Sequence, residues 1–214
     1  MSECSVDVVL FDFGGVIAEE GFVNGLAAIA EMNDRDPESI IKAGFDVVHN
    51  TGYVLGQSDE KTFWQTLRDQ TGIIGSDEEL RHQIFSRFTL RTWMFEVIKN
   101  LRLSGVRVGI LSDQCDWLDK LDAQFDFFKR FDYVFSSYHM GKSKRDETLF
   151  EDIIRRVNAE ADRILFVDDF SGNCERARSK GINTILYTDG ERFLNELEHY
   201  CAHASQQEHY NTFI

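Results

Sequence analysis

The sequence predicts an α/β protein of three layers, a parallel sheet held between helices, with a helical bundle inserted after the first strand. Three observations predict it. Short apolar runs at 8–11, 106–111, 133–135, 163–167 and 182–187 alternate, from residue 93 onward, with amphipathic segments of helix length. That is the pattern of strands buried on both faces and joined by crossover helices. Between the first and second runs, residues 19–91 carry helical periodicity and no convincing strand. Finally, several apolar runs end directly in polar residues, namely Asp12, Ser112 and the pair Asp168-Asp169.

Each element has a local reason. Val8-Val9-Leu10-Phe11 runs straight into Asp12, and Gly14-Gly15 allow a sharp turn beside a ligand. The segment 22–32 is apolar at helical spacing, and Asp36-Pro37-Glu38 reads as a cap residue followed by proline at the first helical position. Ser58-Asp59-Glu60 opens a helix with Phe63, Trp64 and Leu67 on one face. Ser76-Asp77-Glu78-Glu79 has capping-box spacing and leads to Leu80, Ile84, Phe85 and Phe88. The inserted bundle therefore has about four helices, its aromatic stripes forming mostly bundle core and a minority turned to a substrate. Helices are then predicted at 93–103, 117–128, 147–157 and 172–180, with 136–144 as a loop, Gly181 as a C-terminal cap and a last helix from about 191. The tail 202–214 is polar and predicted to fray. The domain division that follows is a Rossmann-like core from 1–18 and 92–214 and a helical cap from 19–91.

Composition narrows the function. Thirty-seven acidic against 23 basic residues give a net charge of −14, which disfavours nucleic acid and anionic membranes as partners. No apolar run approaches a membrane span, and the N-terminus lacks a basic segment followed by an apolar one, so no signal peptide is expected. Cys4, Cys115, Cys174 and Cys201 are scattered without metal or redox spacing and are expected as reduced thiols. The expectation is a cytoplasmic protein, a monomer or homodimer, acting on a small molecule.

In a parallel sheet the carboxyl ends of the strands share one edge, where ligands bind. Asp12, Ser112 and Asp168-Asp169 stand there, with Lys144 in the loop after the third strand. Adjacent carboxylates facing a third repel one another unless a cation neutralises them, and hard oxygen ligands of this kind select Mg2+. Asp12 suits nucleophilic attack on phosphorus to give an aspartyl-phosphate, with Lys144 and the Ser112 hydroxyl holding the phosphoryl oxygens. Taken singly, Lys144 between Lys142 and Arg145 reads as a solvated lysine and Ser112 as a helix cap. Neither reading explains their coincidence with the aspartates.

These residues resemble the four motifs of the haloacid dehalogenase superfamily, in the subgroup with a helical cap after the first strand. The motifs are Phe11-Asp12-Phe13-Gly14-Gly15-Val16, Ile110-Leu111-Ser112-Asp113, Gly141-Lys142-Ser143-Lys144-Arg145-Asp146, and Phe166-Val167-Asp168-Asp169-Phe170-Ser171-Gly172-Asn173. The match covers nearly the whole chain in order and looks most similar to the sugar-phosphate phosphatase branch that includes glucose-1-phosphate phosphatases. The resemblance implies a magnesium-dependent phosphatase acting on a small phosphorylated metabolite. Asp12 would be the nucleophile, and Ser112, Asp113 and Lys144 would bind the phosphoryl group. Asp12, the Gly14 carbonyl, Asp169 and Asp168 would form the metal site, with Asn173 orienting the acidic pair and the cap closing over substrate. One position departs from the pattern. Most phosphatases of the family carry a second aspartate, the general acid, where this chain has Gly14. Glu19, Glu20 and Asp113 are the candidates to replace it. Rival readings are a metal-free 2-haloacid dehalogenase, a phospho-receiver domain with its acidic pair in the wrong chain order, and a binding module disabled at Gly14. Which of His49, Tyr53, Trp64 or Arg91 faces the pocket is left open by the sequence.

Overall fold

A computed structural model describes residues 4–202; the expected fraying of the tail beyond lies outside them. Five parallel strands form one sheet in the order β3-β2-β1-β4-β5, with β1 Val8–Phe11, β2 Arg107–Ser112, β3 Tyr133–Ser136, β4 Ile164–Asp168 and β5 Asn183–Leu186. The first strand is central, so the chain switches direction of winding at β1, between β2 and β4. Crevices at such switch points are where open α/β sheets bind ligands. Strand β1 is buried on both faces. Val9 and Phe11 point into one hydrophobic cluster and Val8 and Leu10 into the other, as the two-residue period requires.

Five α-helices separate β1 from β2, and the first four form the inserted bundle: α1 Gly21–Met32, α2 Pro37–Asn50, α3 Glu60–Thr71 and α4 Asp77–Phe85. Their starts follow the sequence signals. Asp36 accepts from the Ser39 N–H ahead of Pro37, Asp59 caps α3, and Ser76 and Glu79 form a complete capping box. The core helices are α5 Thr92–Leu103, α6 Trp117–Phe125, α7 Ser137–Met140, α8 Thr148–Val157, α9 Ser171–Ser179 and α10 Gly190–Glu198. The segment expected as a loop at 136–144 thus contains α7, capped by Ser136 and closed by Gly141 at φ +66°. One turn of helix is too short to show an amphipathic period, which is why the sequence conceals it.

The bundle is fastened to the sheet's layer by one aromatic residue. Trp117, on α6, packs against Phe22, Tyr53, Phe63, Trp64 and Phe85 of the inserted helices, with ring centroids 5.7–6.2 Å apart. Polar ties surround this plug. Lys120 pairs with Glu60 at 2.7 Å, the Ser137 hydroxyl donates to the Val54 carbonyl at 2.7 Å, and the Tyr53 hydroxyl donates to Asp116. Bundle and sheet therefore share one continuous apolar core.

The cysteine expectation is corrected for two residues. Cys4 and Cys201 are disulfide-bonded, 197 residues apart in sequence. The reason is topological. The two ends of the described chain run side by side, with the Ser5 N–H donating to the Tyr200 carbonyl, and sequence separation gives no sign of that. Cys115 and Cys174 are free and buried. Burial pushes their thiols up to about 12 and about 11, so neither is a ready nucleophile at neutral pH.

Candidate active site

The strand ends deliver their polar groups to one point. Asp12 follows β1 directly, and its N–H still donates to the Val167 carbonyl of β4. Ser112 is the last residue of β2 and Asp168 the last of β4. The Ser112 hydroxyl and the Phe13 N–H donate to Asp12 Oδ1, both at 2.7 Å. Lys144 Nζ lies 2.6 Å from Asp12 Oδ2 and 2.6 Å from Asp168 Oδ2.

Lys144 is 2% exposed, and the surrounding chain is built to hold it there. Asp113 accepts from its backbone N–H at 2.8 Å, and Arg176 Nε donates to its carbonyl at 2.6 Å. Arg176 also donates to Asn173 Oδ1, while Asn173 Nδ2 donates to both oxygens of Asp168 at 3.1 Å. Lys142 is turned away and pairs with Asp152 at 2.5 Å. Burial opposes the Lys144 ammonium, but Asp12, Asp168 and Asp113 outweigh it and hold its pKa above the ordinary lysine value.

Asp12, Asp168 and Asp169 can each offer a carboxylate oxygen, all within 4.8 Å of one another. Burial pushes the Asp12 carboxyl well above its ordinary range against the pull of Lys144, and burial together with Asp168 raises Asp169. The cluster has more negative charge than the one ammonium it contains, with Asp12 and Asp168 buried and Asp169 exposed. An all-oxygen donor set of this kind fits a hard divalent cation. Gly15 is what lets Asp169 approach. It sits at φ +80°, and a Cβ there would lie 2.0 Å from Asp169 Oδ2, so any larger residue would be strained and would push that carboxylate aside.

The structure separates the three candidate acids. Glu19 is exposed and forms a two-pronged ion pair with Arg91, which also donates to the Gly15 and Val16 carbonyls and so ties down the turn after β1. Asp113 is committed to the Lys144 N–H. Glu20 occupies the space left by Gly14: a Cβ built on Gly14 would lie 2.9 Å from Glu20 Oε2. Its Oε1 accepts from the Val23 N–H at 3.2 Å, capping α1 and fixing the side chain. Burial raises the Glu20 carboxyl above its ordinary value.

Above these groups is a cavity of about 480 Å³. Asp12, Gly14, Ser112, Asp113, Lys144, Asp169 and Asn173 line its floor, whereas Asp168 lies beneath, fully buried. Of the four candidates from the inserted helices, His49 lines the cavity. Tyr53 and Trp64 are buried in the aromatic cluster, the latter donating to Glu60, and Arg91 holds the turn. Apart from the polar Gln114, Arg145 and Arg176, the cavity residues that sequence reasoning missed are mostly apolar, among them Phe22, Phe45, Val48, Val54, Trp117 and Phe170. Helical periodicity marks such residues as buried without saying whether they face core or cavity.

Comparison with known proteins agrees with this geometry. A family model for haloacid dehalogenase-like hydrolases matches residues 6–179. Among curated proteins, the chain is 27% identical over 130 residues to the bifunctional epoxide hydrolase 2 of Rattus norvegicus, covering 58% of this chain and 23% of that protein. The chain thus spans about a quarter of the length of that relative. The fold is similar to that of a haloacid dehalogenase family enzyme from Bacteroides thetaiotaomicron in complex with magnesium and inorganic phosphate, with a TM-score of 0.69, 21% identity, and 86% and 96% of the two chains covered. It is also similar to the L-2-haloacid dehalogenase of Xanthobacter autotrophicus with chloropropionic acid covalently bound, at a TM-score of 0.63, 15% identity, and 92% and 84% covered.

Proposed function

This chain belongs to the haloacid dehalogenase-like hydrolase family, and we propose that within it the protein is a magnesium-dependent phosphatase of small phosphorylated metabolites, working through an aspartyl-phosphate on Asp12. One observation carries the reading: Asp12 stands at the switch point with Ser112 and Lys144 on its two oxygens and Asp169 beside it. Asp12, Asp169 and the Gly14 carbonyl would hold magnesium, with Asp168 beneath them. When bound, the ion supplies positive charge to the phosphoryl oxygens and lets carboxylate and phosphate approach each other.

The chain's own groups account for the rest. Ser112 and the Phe13 N–H orient the Asp12 carboxylate, which attacks phosphorus as the ester P–O bond breaks. Lys144 and Ser112 then have the phosphoryl oxygens within reach as charge develops on them. The departing alkoxide needs a proton. Glu20, held above its ordinary pKa and seated where Gly14 leaves room, supplies it. In the second half the Glu20 carboxylate takes a proton from water as that water attacks phosphorus, releasing phosphate and freeing Asp12. The inserted helices, anchored through Trp117, roof the site and exclude bulk water.

The dehalogenase reading has the fold similarity to the Xanthobacter enzyme behind it. It accounts for Asp168, which pairs with Lys144, but leaves the Asp169 carboxylate beside Asp12 without a purpose, since attack on carbon needs no cation. The binding-module reading rested on the missing acid, which Glu20 replaces. Sugar phosphates, the class implied by the motif resemblance, belong in the first panel assayed. Phosphate release from p-nitrophenyl phosphate and that panel, measured with Mg2+, with EDTA and for Asp12→Asn, tests the proposal. Release that requires magnesium and vanishes in the variant is expected; EDTA-insensitive release, or none from any phosphate ester by folded protein, overturns it.

A further inference from the structure

The cavity above Asp12 has two chemically distinct halves. Its polar residues belong to the sheet edge and the loops beside it, where the phosphoryl group is handled: Asp12, Ser112, Asp113, Lys144, Asp169 and their neighbours. The wall from the inserted helices is different. Beyond Glu20, it consists of Phe22, Val23, Phe45, Val48 and Val54, with His49 as its polar member. Trp117 of α6, packed against Phe22, also borders the cavity. Burial and the nearby Arg145 lower the His49 pKa, so this imidazole is neutral at neutral pH.

Two of the aromatic residues are not finished as core. Phe45 is 38% exposed, and Phe22 is half-buried, although the two rings meet edge to face at 5.2 Å. Large apolar side chains left open beside a charged centre are what an apolar ligand group covers. A sugar would bring several hydroxyls against this wall. Those facing Phe22, Phe45, Val48 and Val54 would lose water and find an aliphatic or phenyl surface, with His49 the one polar side chain on that wall beyond Glu20, and an unpaired buried hydroxyl is strongly penalised. The space is sufficient for the alternative: at about 30 Å³ per water, 480 Å³ holds roughly sixteen waters, leaving room for on the order of ten non-hydrogen atoms beyond a phosphoryl group.

We propose that the leaving group is an apolar alcohol, so that the substrate is an alkyl or aryl phosphate monoester whose hydrocarbon lies against Phe22, Phe45, Val48 and Val54. The inference rests on the phosphatase reading, and replaces sugar phosphates with a different class for the same site. The chemistry is unchanged: water cleaves the P–O bond, releasing inorganic phosphate and the alcohol, and no other reactant is needed.

The test compares kcat/KM for acetyl phosphate, ethyl, butyl and hexyl phosphates, and glucose 6-phosphate, with Mg2+ present. Acetyl phosphate reports the phosphoryl chemistry with almost no leaving-group contact. Butyl, hexyl and glucose 6-phosphates are all primary alkyl esters and differ chiefly in polarity. The expected result is a rise along the alkyl series of up to about fourfold per methylene, with hexyl phosphate at least tenfold better than glucose 6-phosphate. In Phe45→Asn the hexyl to glucose ratio is expected to fall fivefold or more; Phe45 is partly exposed, so the variant folds. Turnover of acetyl phosphate with glucose 6-phosphate equal to or better than hexyl phosphate, or an unchanged ratio in Phe45→Asn, overturns this inference alone. No turnover of acetyl phosphate overturns the phosphatase reading, and this inference with it.

Discussion

Glu20→Gln isolates the proton that Gly14 cannot supply. In the wild type one carboxylate oxygen of Glu20 caps α1 through the Val23 N–H, and the other fills the space over Gly14. Glutamine keeps the shape and can keep the cap through its carbonyl oxygen, and it carries no charge to desolvate. The variant should therefore fold with unchanged or slightly higher stability. What it loses is the acid. General acid–base catalysis contributes about 10²- to 10⁴-fold, so kcat for an alkyl phosphate should fall by about that factor. With p-nitrophenyl phosphate, whose phenolate departs without a proton, the first step should be nearly unaffected. The pH profile supplies a second readout. Burial holds the Glu20 carboxyl above its ordinary value, so the acid form persists to higher pH than in a free glutamate. For alkyl esters the wild-type rate should decline as pH rises through that raised value, and Glu20→Gln should lack this limb. The assay is the pre-steady-state burst of alcohol or phenolate, which reports the first step alone, at saturating Mg2+ across pH 5–9 with both ester types. An equal loss for both, or no loss for the alkyl ester, would refute the assignment.

Other perturbations read different parts of the site. Lys144→Met strands the carboxylates of Asp12 and Asp168 in a buried site, and removing one partner of such a pair costs about 3–5 kcal/mol; urea denaturation without metal should show a loss of unfolding free energy of that size, partly recovered in a Lys144→Met, Asp168→Asn double variant. Gly15→Ala places a Cβ against the Asp169 carboxylate at a backbone angle that costs an L-residue about 1–2 kcal/mol, so calorimetry should show a modest stability loss and a much weaker affinity for Mg2+. At about 100 times its dissociation constant, Mg2+ should stabilise the wild type by about 2.7 kcal/mol, about 5–11 °C in Tm for a chain of this size, and should do little for Asp169→Asn. Because burial raises Asp12 and Asp169, the folded state holds their protons longer than the unfolded state. Metal-free protein should thus lose stability as pH climbs from the ordinary carboxylate range through the raised values, and Asp12→Asn should flatten that slope in thermal melts.

The sequence alone determined the sheet, the insertion and the floor of the site, because each is written in local chemistry. Apolar runs ending in Asp12, Ser112 and Asp168 state both that a strand is buried and where its chain emerges. Asp36-Pro37 and the Ser76 to Glu79 box mark helix starts through hydrogen bonds spanning three residues. Local sequence offers no reason to prefer Lys144 to Lys142, which the motif resemblance does, and the structure pairs the first with Asp12 and the second with Asp152. Tertiary structure decided everything that depends on how one element faces another. Glu19, Glu20 and Asp113 are equivalent as acidic residues near strand ends; the docking of α1 against the turn after β1 makes Glu20 the one over Gly14. Phe22 and Phe63 belong to the same kind of helical stripe, yet one reaches the cavity and the other is sealed beneath Trp117, which comes from a helix beyond β2. The Cys4 to Cys201 bond depends on the segments around Ser5 and Tyr200 lying side by side. A period of 3.6 or 2 residues tells which side of an element is apolar; what that side meets is set by packing between segments far apart in the chain.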